Sequence, residues 1–260
     1  AVKLAPEDPD VVLQLGITLL ESAWAAWDKR GELLARALEC LERAAAMGKE
    51  GPDLTGRLAV VHALQGKIDV ALAEYRSLSS EPARVRATWA AELARALCEC
   101  GRFHMAISVC ADAGSLDAES DAAHAWTAYA QFHLGDVAEA RKLLEDERPK
   151  PGASYAKWFT DTLKQYQERE KETWDKRVAW AETNLKEHQT LSSRLLLACW
   201  LLQAERFDEA ARTFEAAKDG GGATPLTAWG LGRARLGALV WGEAETLLET
   251  ASKLAPEETR

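Results

Sequence analysis

The residues best able to do chemistry are Cys98, Cys100, His104 and Cys110, which lie close together in the chain. Thiolates and an imidazole are zinc ligands, but a zinc site needs three or four of them converging at about 2.0–2.3 Å. Cys98 and Cys100 are two residues apart at a helix end and point to nearly opposite sides. Cys110 occupies a large-apolar position, where a thiol serves as a small core hydrophobe. The cluster therefore reads as packing, and no metal is expected. His62, His104, His124, His133 and His188 each read as an ordinary helix residue rather than an acid or base. The chain carries no H-E-x-x-H, no G-x-S-x-G and no phosphate-binding loop. Gly230, Gly232 and Gly237 lack the dinucleotide spacing and follow no strand, so they read as a helix narrowed for close packing. The expectation is a non-enzyme with no catalytic residues and no cofactor.

What remains is a supply of tryptophans and arginines, and the elements that would present them. The 260 residues are 47% hydrophobic and 28% charged, an ordinary globular balance. Abundant Ala and Leu and the absence of alternating strands favour helices throughout. With a net charge of −9 and an isoelectric point near 5.2, the chain is a poor candidate for nucleic acid, which rewards Lys and Arg through counterion release. No stretch approaches the ~20 apolar residues of a membrane span, and no signal peptide opens the chain. Five cysteines without framework spacing point to free thiols and a cytoplasmic setting. Residues 1–6 read AVKLAP and residues 251–256 read ASKLAP. The chain thus opens where a repeat ends, as a piece of a longer protein would, which leaves room for a removed targeting segment.

The repeat is found by arithmetic. Gly66, Gly101 and Gly135 open turns 35 and 34 residues apart, each followed by a polar and then an apolar residue. Ala37, Ala71, Ala106, Ala140, Ala210 and Ala244 form one series with steps of 34, 35, 34, 70 and 34. The 70 is two steps, so one middle copy is degenerate. Ala71 is followed four residues on by Tyr75, Ala210 by Phe214 and Ala244 by Leu248, and Pro256 closes the last copy. Leu15-Gly16 and Leu231-Gly232 supply an L-G pair, and Leu58-Ala59, Leu93-Ala94 and Leu197-Ala198 supply it with alanine. In these features the sequence resembles the tetratricopeptide repeat family, whose unit of about 34 residues carries W-x2-L-G-x2-Y, A-x3-F and Pro. The resemblance covers nearly the whole chain. It implies an all-α, right-handed solenoid of about seven helical hairpins, with residues 1–260 as one superhelix and copies at about 9–51, 52–86, 87–120, 121–154, 155–190, 191–224 and 225–260. One hairpin cannot bury its own faces, so stability comes from stacking.

Two copies depart from the pattern. The first is stretched between Leu15 and Ala37, and Trp24 and Trp27 lie in the extension; capping the end of the solenoid is the favoured role, a partner patch the other. The copy at 155–190 carries Gln167-Glu168-Arg169-Glu170-Lys171-Glu172 where a turn is due, all helix formers. Two helices are favoured because later copies resume in register; one long helix is the alternative.

The resemblance also implies a concave face lined by the first helix of each hairpin. Its places fall on Arg57; on Glu92, Arg95 and Cys98; on Trp126, Tyr129, Phe132 and, at the edge, His133; on Lys157, Thr160 and Lys164; and on Trp229 and Arg233. Trp, Tyr and Arg are the residues most enriched in interface hot spots. The expected function is a protein–protein interaction scaffold that takes a partner peptide or helix, acidic or aromatic-bearing, in that groove. A self-associating homo-oligomeric unit and an effector-sensing part of a larger regulator are the alternatives. The family's carboxylate clamp, which needs paired asparagines, does not fit a chain whose single asparagine is Asn184.

Overall fold

The computed structural model describes residues 7–25, 29–116, 121–146, 156–221 and 224–254. Among these the secondary structure is entirely helical. The order is α1 (Pro9–Ala25), α2 (Arg30–Ala46), α3 (Pro52–Leu64), α4 (Ile68–Ser77), α5 (Ala83–Glu99), α6 (Phe103–Leu116), α7 (Asp121–Leu134), α8 (Val137–Asp146), α9 (Ala156–Glu170), α10 (Trp174–His188), α11 (Leu191–Gln203), α12 (Phe207–Gly221), α13 (Pro225–Gly237) and α14 (Trp241–Leu254). The stretched first copy becomes two 17-residue helices.

The turn chemistry explains the tight hairpins. Gly66, Gly101 and Gly135 have φ of +79°, +69° and +97°, which lets the next N–H reach back to a carbonyl of the previous turn. Lys67 N–H donates to His62 O, Arg102 N–H to Leu97 O and Asp136 N–H to Gln131 O, at 2.8–2.9 Å. The last two hairpins close the same way with Glu205 and Leu239 in the glycine's place, at φ +58° and +62°. Thr224 opens α13 with a reciprocal cap, its hydroxyl accepting from the Thr227 N–H while the Thr227 hydroxyl accepts from the Thr224 N–H.

Small residues set the distance between paired helices, as the alanine series requires. Ala37, Ala71, Ala106, Ala140 and Ala210 are fully buried, and Ala244 nearly so. Gly16 rests on Leu41, and Gly232 on Leu248.

The degenerate copy folds as two helices, α9 and α10, yet not as a packed pair. No glycine breaks the chain at 171–173. Instead the Arg177 guanidinium donates to the last carbonyls of α9, those of Arg169 and Glu170, both at 2.7 Å. A cation there satisfies orphan acceptors and suits the negative end of the helix. From this turn α9 and α10 diverge: α9 leans on α8, and α10 on α11. The space between them is filled from outside the hairpin. Phe132 of α7 stacks on Tyr166 of α9, with centroids 4.0 Å apart and planes within 9°, and Trp200 of α11 meets Trp180 of α10 at 5.6 Å. Phe132 and Trp200 meet edge to face, and the Trp200 indole donates to Phe132 O at 3.2 Å. The wedge brings α11 directly against α7 and onto the α5–α6 turn, where Leu195 covers Gly101.

Candidate functional site

The first helices of the early hairpins carry a strip of alternating arginines and tryptophans. Arg95 of α5 lies 4.0 Å from the ring centre of Trp24 in α1 and 5.9 Å from that of Trp126 in α7. Arg57 of α3 lies 5.6 Å from Trp89 of α5 and bonds Asp53 at 3.2 Å. Arg30 covers Trp24 at 5.4 Å and pairs with Glu99 at 3.4 Å. These contacts join a planar cation to the negative face of an aromatic ring. A shallow cleft between α1, α3 and α5 runs along the strip, with Glu21 and Glu92 among its walls.

Trp24 therefore lies under Arg95, half-buried against the core. Its neighbour Trp27 lies outside the described residues.

The second feature is a cavity of about 420 Å³ between α7, α9, α10 and α11, opened by the divergence of α9 and α10. Tyr129, Tyr166 and Trp180 form aromatic walls, while Thr162, Gln165 and Asn184 add polar groups. The Tyr129 hydroxyl meets Ser192 Oγ at 2.9 Å. Burial pushes the Tyr129 phenol well up, with the nearby Glu99 charge adding to it and the Ser192 bond opposing it. His133 stacks on Tyr129 at 3.9 Å, and its Nδ1 lies 2.8 Å from Tyr129 O, so Nδ1 carries the proton that is donated there. Burial lowers the His133 pKa to about 4, against the opposing effect of that hydrogen bond. The imidazole is thus neutral near pH 7.

The expected groove residues divide accordingly. Arg57, Arg95 and Trp126 come together on the strip, and Tyr129 links strip to cavity, its ring edge-on to Trp126 at 5.4 Å. Phe132 and His133 leave the strip: at 2% and 6% exposure they belong to the aromatic wedge and line the cavity beside it. Cys98 is likewise fully buried. Lys164 is exposed and stands away from the cavity, to which α9 turns Thr162 and Gln165 instead. α9 has left the regular stack, and each place of register rotates a helix face by about 100°. The side chain of Lys157 lies outside the described residues. Trp229 and the exposed Arg233 pair with each other at 5.8 Å on α13, apart from both clefts. Trp89, Gln165, Trp180 and Asn184 were not expected at a site. Only Asn184 carried any signal, as the chain's single asparagine.

Fold and repeat together define an all-α solenoid of stacked helical hairpins. No family model and no curated protein sequence matches the chain. Among solved structures it is similar to a pilF structure from Pseudomonas aeruginosa, with 18% identity, 96% of this chain and 92% of that chain covered and a TM-score of 0.38. A tetratricopeptide repeat protein from Parabacteroides merdae has 17% identity, coverages of 93% and 94% and a TM-score of 0.39. The thermophilic protein TTC0263 of Thermus thermophilus has 19% identity, coverages of 88% and 100% and a TM-score of 0.42. Among the described residues no helix is long and apolar enough to cross a membrane.

Proposed function

We propose that the chain is a non-enzymatic interaction scaffold holding a segment of a partner protein along the inner face of α1, α3, α5 and α7. The observation that carries this is the placement of Arg95 between Trp24 and Trp126, which joins three hairpins into one strip that is only half-buried. Side chains already stacked on one another lose little freedom when a partner arrives. The strip is mixed in charge, since Arg57 meets Asp53, and Glu21 and Glu92 stand beside it. The segment that fits offers a planar aromatic group to the tryptophan faces and a carboxylate to Arg95, rather than a long acidic run.

The test is a displayed-peptide selection against the whole chain, followed by fluorescence anisotropy with Arg95→Ala and Trp126→Ala. Each change removes a hot-spot type of contact, so a loss of about tenfold or more in affinity is expected, with thermal unfolding little altered. Tyr129 is left intact because its hydroxyl is tied to Ser192. Equal binding by parent and variants sinks the reading.

A second reading, association of two copies, rests on a different observation. Leu239, Val240 and Trp241 are 69%, 37% and 63% exposed at the α13–α14 turn, where earlier turns carry Lys67, Arg102 or Asp136. A sedimentation coefficient that climbs with concentration would favour it, and a constant one would remove it.

A further inference from the structure

We propose that the cavity between α7, α9, α10 and α11 binds the charged end of an organic cation, a guanidinium or alkylammonium group, with Glu99 as its counter-ion and Tyr129 and Trp180 as its walls. The inference is independent of the arginine–tryptophan strip.

Its first support is the charge of the lining. Glu99 contributes a carboxylate, and no lysine or arginine is among the wall residues. An anion entering this space would meet like charge, whereas a cation would join Arg30 as a second partner of that carboxylate. The second support is the supply of acceptors. With its Nδ1 proton committed to Tyr129 O, the neutral His133 can only accept at Nε2. Gln165 and Asn184 bring amide oxygens from α9 and α10. Glu99 receives Arg30 on Oε2, and a carboxylate has room for further donors on its other oxygen.

The third support is a pattern within the molecule, several of whose tryptophans take guanidinium groups over their rings. Trp24, Trp89, Trp126, Trp174 and Trp229 each carry an arginine of this chain over the ring. Trp180 does the same with Arg169 at 5.4 Å, from outside the cavity lining. The cavity thus presents aromatic walls and a carboxylate whose own cation, Arg30, stands outside the lining, a combination that attracts guanidinium and ammonium groups. Its volume of about 420 Å³ suits such a head group with its alkyl stem.

The experiment is isothermal titration of the whole chain with agmatine, with indole-3-acetate as an anionic aromatic control. Agmatine is expected to bind and indole-3-acetate not to. Glu99→Gln should weaken agmatine about tenfold, the worth of one charge-assisted contact. Arg30→Gln should tighten it, because the carboxylate loses its internal competitor. A purely structural disturbance would move both variants in the same direction. Asn184→Trp, which puts an indole into the cleft from a half-buried position, should abolish the heat and serves if Glu99→Gln is poorly folded. A pentapeptide with one central arginine distinguishes the two sources of such a cation. Tighter binding than agmatine assigns the site to a partner's side chain, and weaker binding to a free small molecule. No heat with agmatine at about 10 mM, far above the usual range for small-molecule sites, overturns the proposal. So does unchanged affinity in Glu99→Gln, or a stronger response to indole-3-acetate.

Discussion

The α12–α13 contact and the gap between α9 and α10 meet the same packing problem with opposite means. At the first, Gly230 accepts the fully buried ring of Phe214, large against nothing, and the helices close together. At the second, Phe132 and Trp200 are driven between two helices whose facing residues there are the rings of Tyr166 and Trp180, and the pair opens. Helix separation here is decided by one or two side chains, because interiors are close-packed and cannot absorb an extra ring by compressing. The surplus volume becomes a wedge, and the edge of the wedge becomes a cavity.

Removing the wedge should have the largest effect. Trp200→Ala deletes a fully buried indole and its bond to Phe132 O, for an expected loss of about 3–5 kcal/mol by denaturant unfolding. A loss under about 1 kcal/mol would mean that α9 and α10 collapse into an ordinary hairpin, which would erase the contrast between the two regions.

Acid should attack the same region. His133 titrates near 4 in the folded chain against 6.5 when free, so between these values the unfolded chain binds more protons. Its contribution to stability is therefore level above pH 6.5, falls as the pH drops toward 4, and levels off below, by a total on the order of 3 kcal/mol. Unfolding measured from pH 7 to 3.5 should show this slope in the parent and lose it in His133→Phe. An unchanged slope would place the acid sensitivity elsewhere.

The smallest effect belongs to the regular region. A Cβ at Gly230 would overlap the Phe214 ring, which is enclosed on all sides. At Gly56 the same addition meets Trp89, which is half-buried and can swing away. Gly230→Ala should cost about 1–3 kcal/mol, while the gain in helix propensity leaves Gly56→Ala near neutral. The difference in melting temperature between the two variants checks this, and equal values would show that the α12–α13 contact has slack.

The regular region is what could be read from the residues. The alanine series, the turn glycines and the Leu-Gly pairs report backbone distances, and a repeat displays each distance several times. Arg57, Arg95 and Trp126 were placed on the inner face because those copies keep the period. The opened copy could not be read this way. Its turn depends on Arg177 reaching back to Arg169 and Glu170, a contact that no local signal marks. Phe132 occupies a groove place by count, yet it is drawn inward by Tyr166, a partner in the very copy whose register fails. Gln165 and Asn184 come together only because two helices diverge.

The seat of α11 on α7 has a further consequence, for the order of folding. In a simple stack every contact joins neighbours, so structure can begin anywhere and spread. Here Tyr129 meets Ser192 across 63 residues, and Trp200 meets Phe132 across 68. These contacts close a loop that contains α8, α9 and α10, and the entropy of that closure must be overcome before any of its contacts contributes. The middle of the chain is thereby bound into one cooperative block, to which Arg30–Glu99 and Trp24–Arg95 tie the first hairpin, while the last hairpin remains free to open by itself. A linear array has become, at its centre, a ring.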